Sequence, residues 1–483
     1  MTINARRRTK IVATMGPSCD RDGMLETLVK KGVNVFRANF SHGSHDDHAR
    51  RINTVREISK RLGTEVAILA DLQGPKIRVA RFKENKIFLE EGATFTLDAN
   101  LGTNAGDEKA VGLDYRDLPK DVGPGDVLLL DDGRIVLTVD HVVGEKVICK
   151  VTVGGELSNN KGINKQGGGL SADVLTDKDI KDLKFAATLD VDYFAISFVR
   201  CADDMDYARK LIREAGSAAG LIAKLERVEA AIPATIDEII NASEGIMVAL
   251  GDLGVEIGDA EVPAVQKLMI QRARALNKPV ITATQMMETM IHNAIPTRAE
   301  VSDVANAVLD NTDAVMLSAE SASGDHPDVV VDALVRICIA AERMPETQSS
   351  GHRVECHFEK IDETIAMAAM YAANHVDIKA IISLTESGST PLLMSRIRSA
   401  IPIFALTRNI ATERKMSLYC GVYPMSFDVT KYTKEDLNAQ AVALLKKNNI
   451  ADKEDLVLIT EGDIIGKHGH TNTMKIYKVN DLG

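Results

Sequence analysis

Over most of the first 345 residues, short apolar runs alternate with helix-length amphipathic stretches, and few folds accommodate that alternation. Residues 9–16, 33–40 and 66–72 read as strands. Between them, 22–31 and 46–62 have helical periodicity and stop at Gly32 and Gly63, where glycine closes a helix at little steric cost. Strand and helix in turn, with short connections, imply parallel β/α units. From about residue 73 to 170 the helical period vanishes. Runs such as 127–130, 135–139 and 147–153 are separated by turns such as Asp131-Asp132-Gly133, which predicts an all-β insertion, a small barrel or sandwich. The alternation resumes with strands at 193–198, 221–226, 245–252, 280–285 and 314–318. Eight such strands fit an α/β fold, a (β/α)8 TIM barrel over 1–72 and 171–345, with a β-barrel domain (73–170) inserted after the third strand. A doubly wound open sheet is the alternative, but no G-x-G-x-x-G follows the first strand. The glycine-rich stretch 162–169 reads as a hinge or return loop ahead of a phosphate cradle. After Met344-Pro345 a polar linker leads into a third domain, 346–483, with an open α/β pattern.

The chemistry gathers where strands end. The fifth strand closes on Lys224-Leu225-Glu226, and side chains two apart in a strand share a face. A lysine and a carboxylate inside a buried strand are costly unless paired or used. Asp252 ends the next run after Gly251. One ammonium and two carboxylates can seat a hard divalent cation, although a buried Lys/Glu pair in a barrel interior would look the same. The other strand ends are polar too. The second carries Arg37, Asn39 and Ser41, and the third Asp71, with Lys76 and Arg78 beyond it. The fourth carries Ser197 and Arg200, the seventh Thr284, and the eighth Ser318 and Glu320. In a (β/α)8 barrel these ends form the active-site face, and convergence from seven strands favours function over pairing. Arg37 and Arg78 can grip phosphate, Glu226 and Asp252 can hold Mg²⁺, and Lys224 can stabilise developing negative charge. Phosphoryl transfer or enolate chemistry is the class this set suits; a metal-dependent aldolase or lyase could use the same three residues.

Composition narrows the partners. A net charge of −11 and the absence of tryptophan argue against a nucleic-acid binder. Six scattered cysteines form no C-x-x-C pair, so neither a zinc site nor a disulfide framework is expected. No apolar run reaches membrane-spanning length, and no apolar segment follows Arg6-Arg7-Arg8 as in a secretory leader. A cytoplasmic protein without a membrane partner is expected, with those arginines as solvated charge at the barrel entrance. His42, His45 and His48 with Asp46 and Asp47 fall across a loop and helix start, where acidic residues favour the helix dipole, so no metal cluster is read there apart from a role for His42.

The chain resembles the pyruvate kinase family, closest to bacterial forms, along essentially its whole length. The resemblance is carried by residues 10–17 (KIVATMGP), 37–43 (RANFSHG), 71–78 (DLQGPKIR), 222–226 (IAKLE), 251–256 (GDLGVE), 283–286 (ATQM) and 316–320 (MLSAE). It implies phosphoryl transfer from phosphoenolpyruvate to ADP, giving pyruvate and ATP, with Mg²⁺ as cofactor and Mn²⁺ able to substitute. Lys224 would neutralise the phosphoryl group and enolate, and Glu226 and Asp252 would bind the metal. Gly251, Asp252 and Thr284 would hold the substrate carboxylate, with Thr284 helping to deliver a proton. Arg37 would grip the phosphoryl group, with Ser318 and Glu320 beside the substrate. Asn39, His42 and Arg78 would line the nucleotide side. The insertion would be a lid, the last domain regulatory, and the assembly a homotetramer. Two positions depart from the family pattern. Lys76 stands where K⁺-requiring members carry glutamate, in the monovalent-cation region with Asn39, Ser41 and Asp71, so K⁺ is expected not to be required. Leu250 stands where the pattern has arginine. In the last domain Thr385, Ser387, Gly388, Ser389 and Thr390 open a helix, which suits a phosphate, and the matching family loop binds a phosphorylated activator; AMP or a sugar monophosphate is expected. An ordinary helix cap would use the same residues.

Overall fold

The computed structural model describes residues 6–283, 286–349, 356–463 and 470–482. Eight strands close into a parallel barrel: β1 (Lys10–Met15), β2 (Val35–Asn39), β3 (Ala67–Asp71), β4 (Tyr193–Ile196), β5 (Gly220–Leu225), β6 (Gly245–Ala249), β7 (Val280–Ala283) and β8 (Ala314–Leu317). The ring follows chain order. β1 meets β2 with Val12 opposite Val35, and it meets β8 with Lys10 opposite Ala314, which shuts the circle. All six residues of β1 are buried. Unbroken apolar strands belong where both faces are covered. Alternation still sorts the faces: Ile11 and Ala13 pack outward against the helices, and Val12 packs inward. Three of the helices, His45–Leu62, Asp177–Ala187 and Arg298–Leu309, start with reciprocal capping boxes, Ser44/Asp47, Thr176/Asp179 and Thr297/Glu300.

The insertion between β3 and β4 is built of β-strands apart from one short helix, Leu118–Asp121. A six-stranded sheet runs Ile163–Lys165, Val127–Leu130, Ile135–Val143, Lys146–Val153, Thr94–Asp98 and Ala110–Gly112 in spatial order, and Lys86–Leu89 pairs with Gly155–Ser158 as a separate ribbon. Both share one core around Phe95, Leu97, Leu128, Leu137 and Val147. The last domain has a five-stranded sheet of β9 (Ile378–Leu384), β10 (Ile403–Thr407), β11 (Val422–Ser426), β12 (Leu456–Gly462) and β13 (Thr471–Lys478), ordered β11-β10-β9-β12-β13. Only β13 runs antiparallel, against β12. The apolar filling of the barrel base (Val12, Leu69, Tyr193, Met247) is continuous with the core under this sheet (Ala369, Met394, Ile403, Leu458).

Two expectations change. The sixth run does not stay extended to Asp252. The strand stops at Ala249 and the chain winds into the helix Leu250–Ile257, with Asp252 in its first turn. A carboxylate is favoured there by the unpaired N–H groups of a helix start. The N-terminal arginines are also not solvated charge. Arg7 donates to Asn34 Oδ1 at 2.8 Å, and Arg8 donates to the carbonyls of Thr347 (2.6 Å) and Glu342 (2.9 Å), fastening the barrel base to the last domain.

Candidate active site

At the C-terminal end of the barrel a buried charged chain crosses four strands. Lys224, the fifth residue of β5, lifts its ammonium into the barrel axis. Its Nζ lies 3.0 Å from Glu226 Oε1 and 3.3 Å from Asp71 Oδ1, and donates to Ser197 Oγ at 2.8 Å. Asp71 closes β3 and is 1% exposed. Its other oxygen accepts from Arg37 Nε at 2.6 Å, and Arg37 Nη1 donates to Thr14 Oγ1 at 3.0 Å. Glu226 Oε2 accepts the Phe198 backbone N–H at 2.9 Å. Lys76, on the way into the insertion, donates to Asp252 Oδ1 at 2.9 Å.

The charges tune one another. Burial would push the Asp71 carboxyl up, but the Lys224 ammonium and Arg37 guanidinium overcome it and hold it below the usual range. Burial would lower Lys224, but Asp71 and Glu226 hold it above the ordinary lysine value, so it remains an ammonium. Glu226 goes the other way: burial and the charge of Asp252 raise it against the pull of Lys224. A buried carboxylate whose charge is disfavoured by a second carboxylate beside it marks a place where a cation would be stabilised. Among the described residues no group of three or more His, Cys, Asp or Glu side chains converges on a metal position. Two carboxylates, with water and substrate completing the shell, suit magnesium.

Gly251, Asp252 and Lys76 line an open cleft of about 910 Å³ between the helix Leu250–Ile257, the helix Val262–Ala275 and Asp132 of the insertion. Lys224 and Glu226 lie outside its lining, with side chains 12% and 4% exposed. Lys76 and Asp252 therefore bridge the open cleft and the buried charges.

Residues 6–331 match the model of the pyruvate kinase barrel domain, and residues 363–477 match that of the pyruvate kinase alpha/beta domain. Pyruvate kinase II of Salmonella typhimurium is 56% identical over 475 residues, 98% of this chain and 99% of its own. The pyruvate kinase of Haemophilus influenzae is 56% identical over 458 residues, 94% of this chain and 96% of its own. That of Geobacillus stearothermophilus is 41% identical over 483 residues, 99% of this chain and 81% of its own. The chain belongs to the pyruvate kinase family. It is a phosphotransferase.

Within that family frame, the structure brings Arg37, Asp71, Lys224 and Glu226 into one contact network, with Asp252 and Lys76 beside it. Lys76 makes its ion pair with Asp252. Asn39 Oδ1 accepts the Ser41 N–H at 3.2 Å, shaping the turn after β2. The carbonyl of His42 accepts from His48 Nε2 at 2.9 Å, and His45 pairs with Asp182 at 2.7 Å, so these histidines do not converge. Arg78 sits on the insertion and donates to the Asn160 carbonyl at 3.0 Å. Arg200, in the loop after β4, pairs with Asp204 in the first turn of the helix Ala202–Glu214. Glu320 is 2% exposed, and its two oxygens accept the N–H groups of Ser318 (2.7 Å) and Met287 (3.1 Å). It ties the ends of β7 and β8 together. Thr284 lies outside the described residues. The side chain of Leu250 lies outside those the structure describes.

The far loop is well formed. Thr385 Oγ1 accepts the Gly388 N–H at 2.9 Å, Gly388 has φ +81°, and the helix Ser389–Ser395 follows. Thr390 is buried and shares a hydrogen with Thr471 across 2.7 Å. Ser387 Oγ accepts from the Ser389 N–H. One participant was not read from the sequence: Thr14, which orients Arg37. Its only signal was a hydroxyl near the end of a mostly apolar first strand.

Proposed function

We propose that this chain transfers the phosphoryl group of phosphoenolpyruvate to ADP, giving pyruvate and ATP, as the final step of glycolysis in the cytoplasm. The observation that carries the reading is the Lys224 ammonium, held by Asp71, Glu226 and Ser197 at the mouth of the barrel, in a chain whose full-length relatives bear the pyruvate kinase name. Among the described residues no helix is long and apolar enough to cross a membrane.

In this reaction a terminal oxygen of ADP attacks phosphorus, the bond from phosphorus to the enol oxygen breaks, and the enolate gains a proton at its methylene carbon. Asp71 and Thr14 fix Arg37 through Nε and Nη1, which leaves Nη2 for the phosphoryl oxygens. Lys224 faces the charge that grows on the transferring group and then on the enolate oxygen, where a preoriented cation lowers the barrier most. Gly251 and Asp252, in the first turn of their helix, offer N–H groups to the substrate carboxylate, together with Thr284. Ser318 and Glu320 shape the neighbouring wall, and Thr284 helps protonate the enolate. Asn39, His42 and Arg78 border the nucleotide. Glu226 and Asp252 would hold Mg²⁺, or Mn²⁺ in its place, which when bound neutralises phosphoryl oxygens. The insertion closes over the mouth and excludes water.

K⁺ is not required in this reading, because the Lys76 ammonium already supplies a monovalent charge beside Asp252. A phosphorylated activator, AMP or a sugar monophosphate, docks on Thr385, Ser387, Gly388, Ser389 and Thr390, and the assembly is a homotetramer. A coupled assay of pyruvate formation from phosphoenolpyruvate and MgADP tests the core reading; no pyruvate would refute it. Running it in K⁺ and in tetramethylammonium tests the second, and a large K⁺ activation would refute that point alone. Addition of AMP or sugar monophosphates should shift the substrate-saturation curve, and no shift with any of them would remove the activator.

A further inference from the structure

The inserted domain is joined to the barrel by two connections, and both are clipped to the barrel by acidic residues. The outgoing one passes through Gly74, whose N–H donates to Asp179 Oδ1 at 3.0 Å. The returning one is the glycine-rich stretch 162–169. There the Gly169 N–H donates to Glu229 Oε1 at 2.7 Å, and the Gly167 N–H donates to the Glu256 carbonyl at 3.4 Å. Asn164 Nδ2 donates to Glu256 Oε1 at 3.5 Å, and Arg227 Nη2 donates to the Leu170 carbonyl at 3.3 Å. Gly167, Gly168 and Gly169 all have φ between +77° and +88°, a backbone region that larger residues resist. A side chain at Gly168 would also collide with Val228 and Glu229, at 2.4 and 2.7 Å.

The barrel side of this hinge is chemically unfinished. Arg227 is 3% exposed, and its Nε has no hydrogen-bond partner. It stands 3.5 Å from Glu229 Oε2, which also lacks a partner, and 3.8 Å from Glu256 Oε1. Buried donors and acceptors are normally satisfied, so one guanidinium shared at long range between two acids is poised to close on either. Glu256 is meanwhile pinned, its Oε2 accepting the Val228 N–H at 3.0 Å. The positions in sequence matter. Arg227 directly follows Glu226, and Glu256 lies one helical turn after Asp252 on the same helix.

Resting on the proposed function above, we propose that Arg227, Glu229 and Glu256 form a hinge latch, in which drawing Glu226 and Asp252 together around a cation and substrate tightens the shared ion pair and sets the inserted domain in its closed position. These are positioning residues: they touch the hinge and the segments carrying the two carboxylates. Removing the charge of Glu256 leaves Arg227 with Glu229 alone and uncouples the helix of Asp252 from the hinge.

The test compares the full-length wild type with Glu256→Gln, Arg227→Met and Arg227→Lys. Amide hydrogen exchange over residues 163–170 is followed with no addition, with Mg²⁺ alone, and with Mg²⁺ plus phosphoenolpyruvate. In the wild type the full mixture slows exchange about tenfold. In Glu256→Gln and Arg227→Met the slowing falls below about twofold and kcat drops about tenfold, with KM for phosphoenolpyruvate within about threefold. Peptides of β6 stay as protected as in the wild type, and Arg227→Lys recovers part of both losses. Wild-type ligand protection and kcat in both charge-removing variants would overturn the latch, as would equal loss of protection in β6 or no ligand-induced slowing in the wild type. Pyruvate formation by the wild type is scored separately, so the latch can fail while the phosphoryl-transfer reading stands. If the wild type makes no pyruvate, that reading falls, and the Mg²⁺-alone arm, compared between wild type and Glu256→Gln, still decides the latch.

Discussion

The two ends of the barrel both bury ionic networks, yet they are built to different ends. At the base, Arg396 is 2% exposed and Asp313 1%, and Arg396 Nη1 donates to Asp313 Oδ2 at 2.9 Å, with Nη2 on the other oxygen. Asp313 also accepts the N–H groups of Val280 (3.0 Å) and Cys420 (3.0 Å), and Arg396 also donates to the Lys278 carbonyl. The neighbouring cavity is only about 60 Å³. Arg396 and Asp313 satisfy each other and their neighbours from both domains, so this end fastens two domains. At the mouth the ammonium of Lys224 is shared among three acceptors, the charge of Asp252 adds to the cost of ionising buried Glu226, and the adjoining cleft is about 910 Å³. Burial of charge alone does not mark a site. Unresolved like-charge pressure next to open space does.

That contrast can be broken by experiment. The largest effect is expected for Lys224→Met, with kcat for pyruvate formation falling about a thousandfold, equivalent to about 4 kcal/mol. Stability in urea unfolding should fall as well, because Asp71 and Glu226 lose the ammonium that offsets their burial. Asp313→Ala should lose stability while sparing kcat. Leaving Arg396 buried without its carboxylate is expected to cost about 3 kcal/mol of stability in urea unfolding, with activity per folded molecule retained. A large loss of kcat in folded Asp313→Ala would erase the distinction between the two ends. Asp252→Asn should raise the half-saturating Mg²⁺ concentration at least about tenfold, read from initial rates across a magnesium titration.

The smallest effect is a pH dependence at the junction of barrel and last domain. Burial, and then the charge of Glu65, push the Glu413 carboxyl up to about 7 against the pull of Arg414. The folded state therefore binds a proton that the unfolded chain has released, and stability falls as pH rises from the ordinary glutamate range to about 7. Glu413→Gln should flatten that slope and stabilise the protein at pH 8 by about 1 kcal/mol after allowing for solvent screening. Unchanged pH curves for the variant would show that the junction does not feel this charge.

Much of the architecture was legible in the sequence because it rests on period and punctuation. Fully apolar runs, helical stripes closed by Gly63, and caps such as Ser44/Asp47 are local, and each of the eight barrel strands coincides with a run read in advance. The strands β11 and β13 were not read. β11 contains Pro424 and β13 is largely half-exposed at the sheet edge, and neither shows the buried apolar run that identified the others.

The identity of the charged residues, and their place at the ends of successive strands, was set by the order of the amino acids. Which charge meets which was decided only by closure of the ring. Lys76 and Asp252 are 176 residues apart and come within 2.9 Å, and Arg227 finds its half-made partners only because the inserted domain returns beside it. Local patterns fix backbone conformation through short-range sterics and burial. Electrostatic partnership depends on distances of a few ångströms between remote segments, and those exist only once the chain has packed.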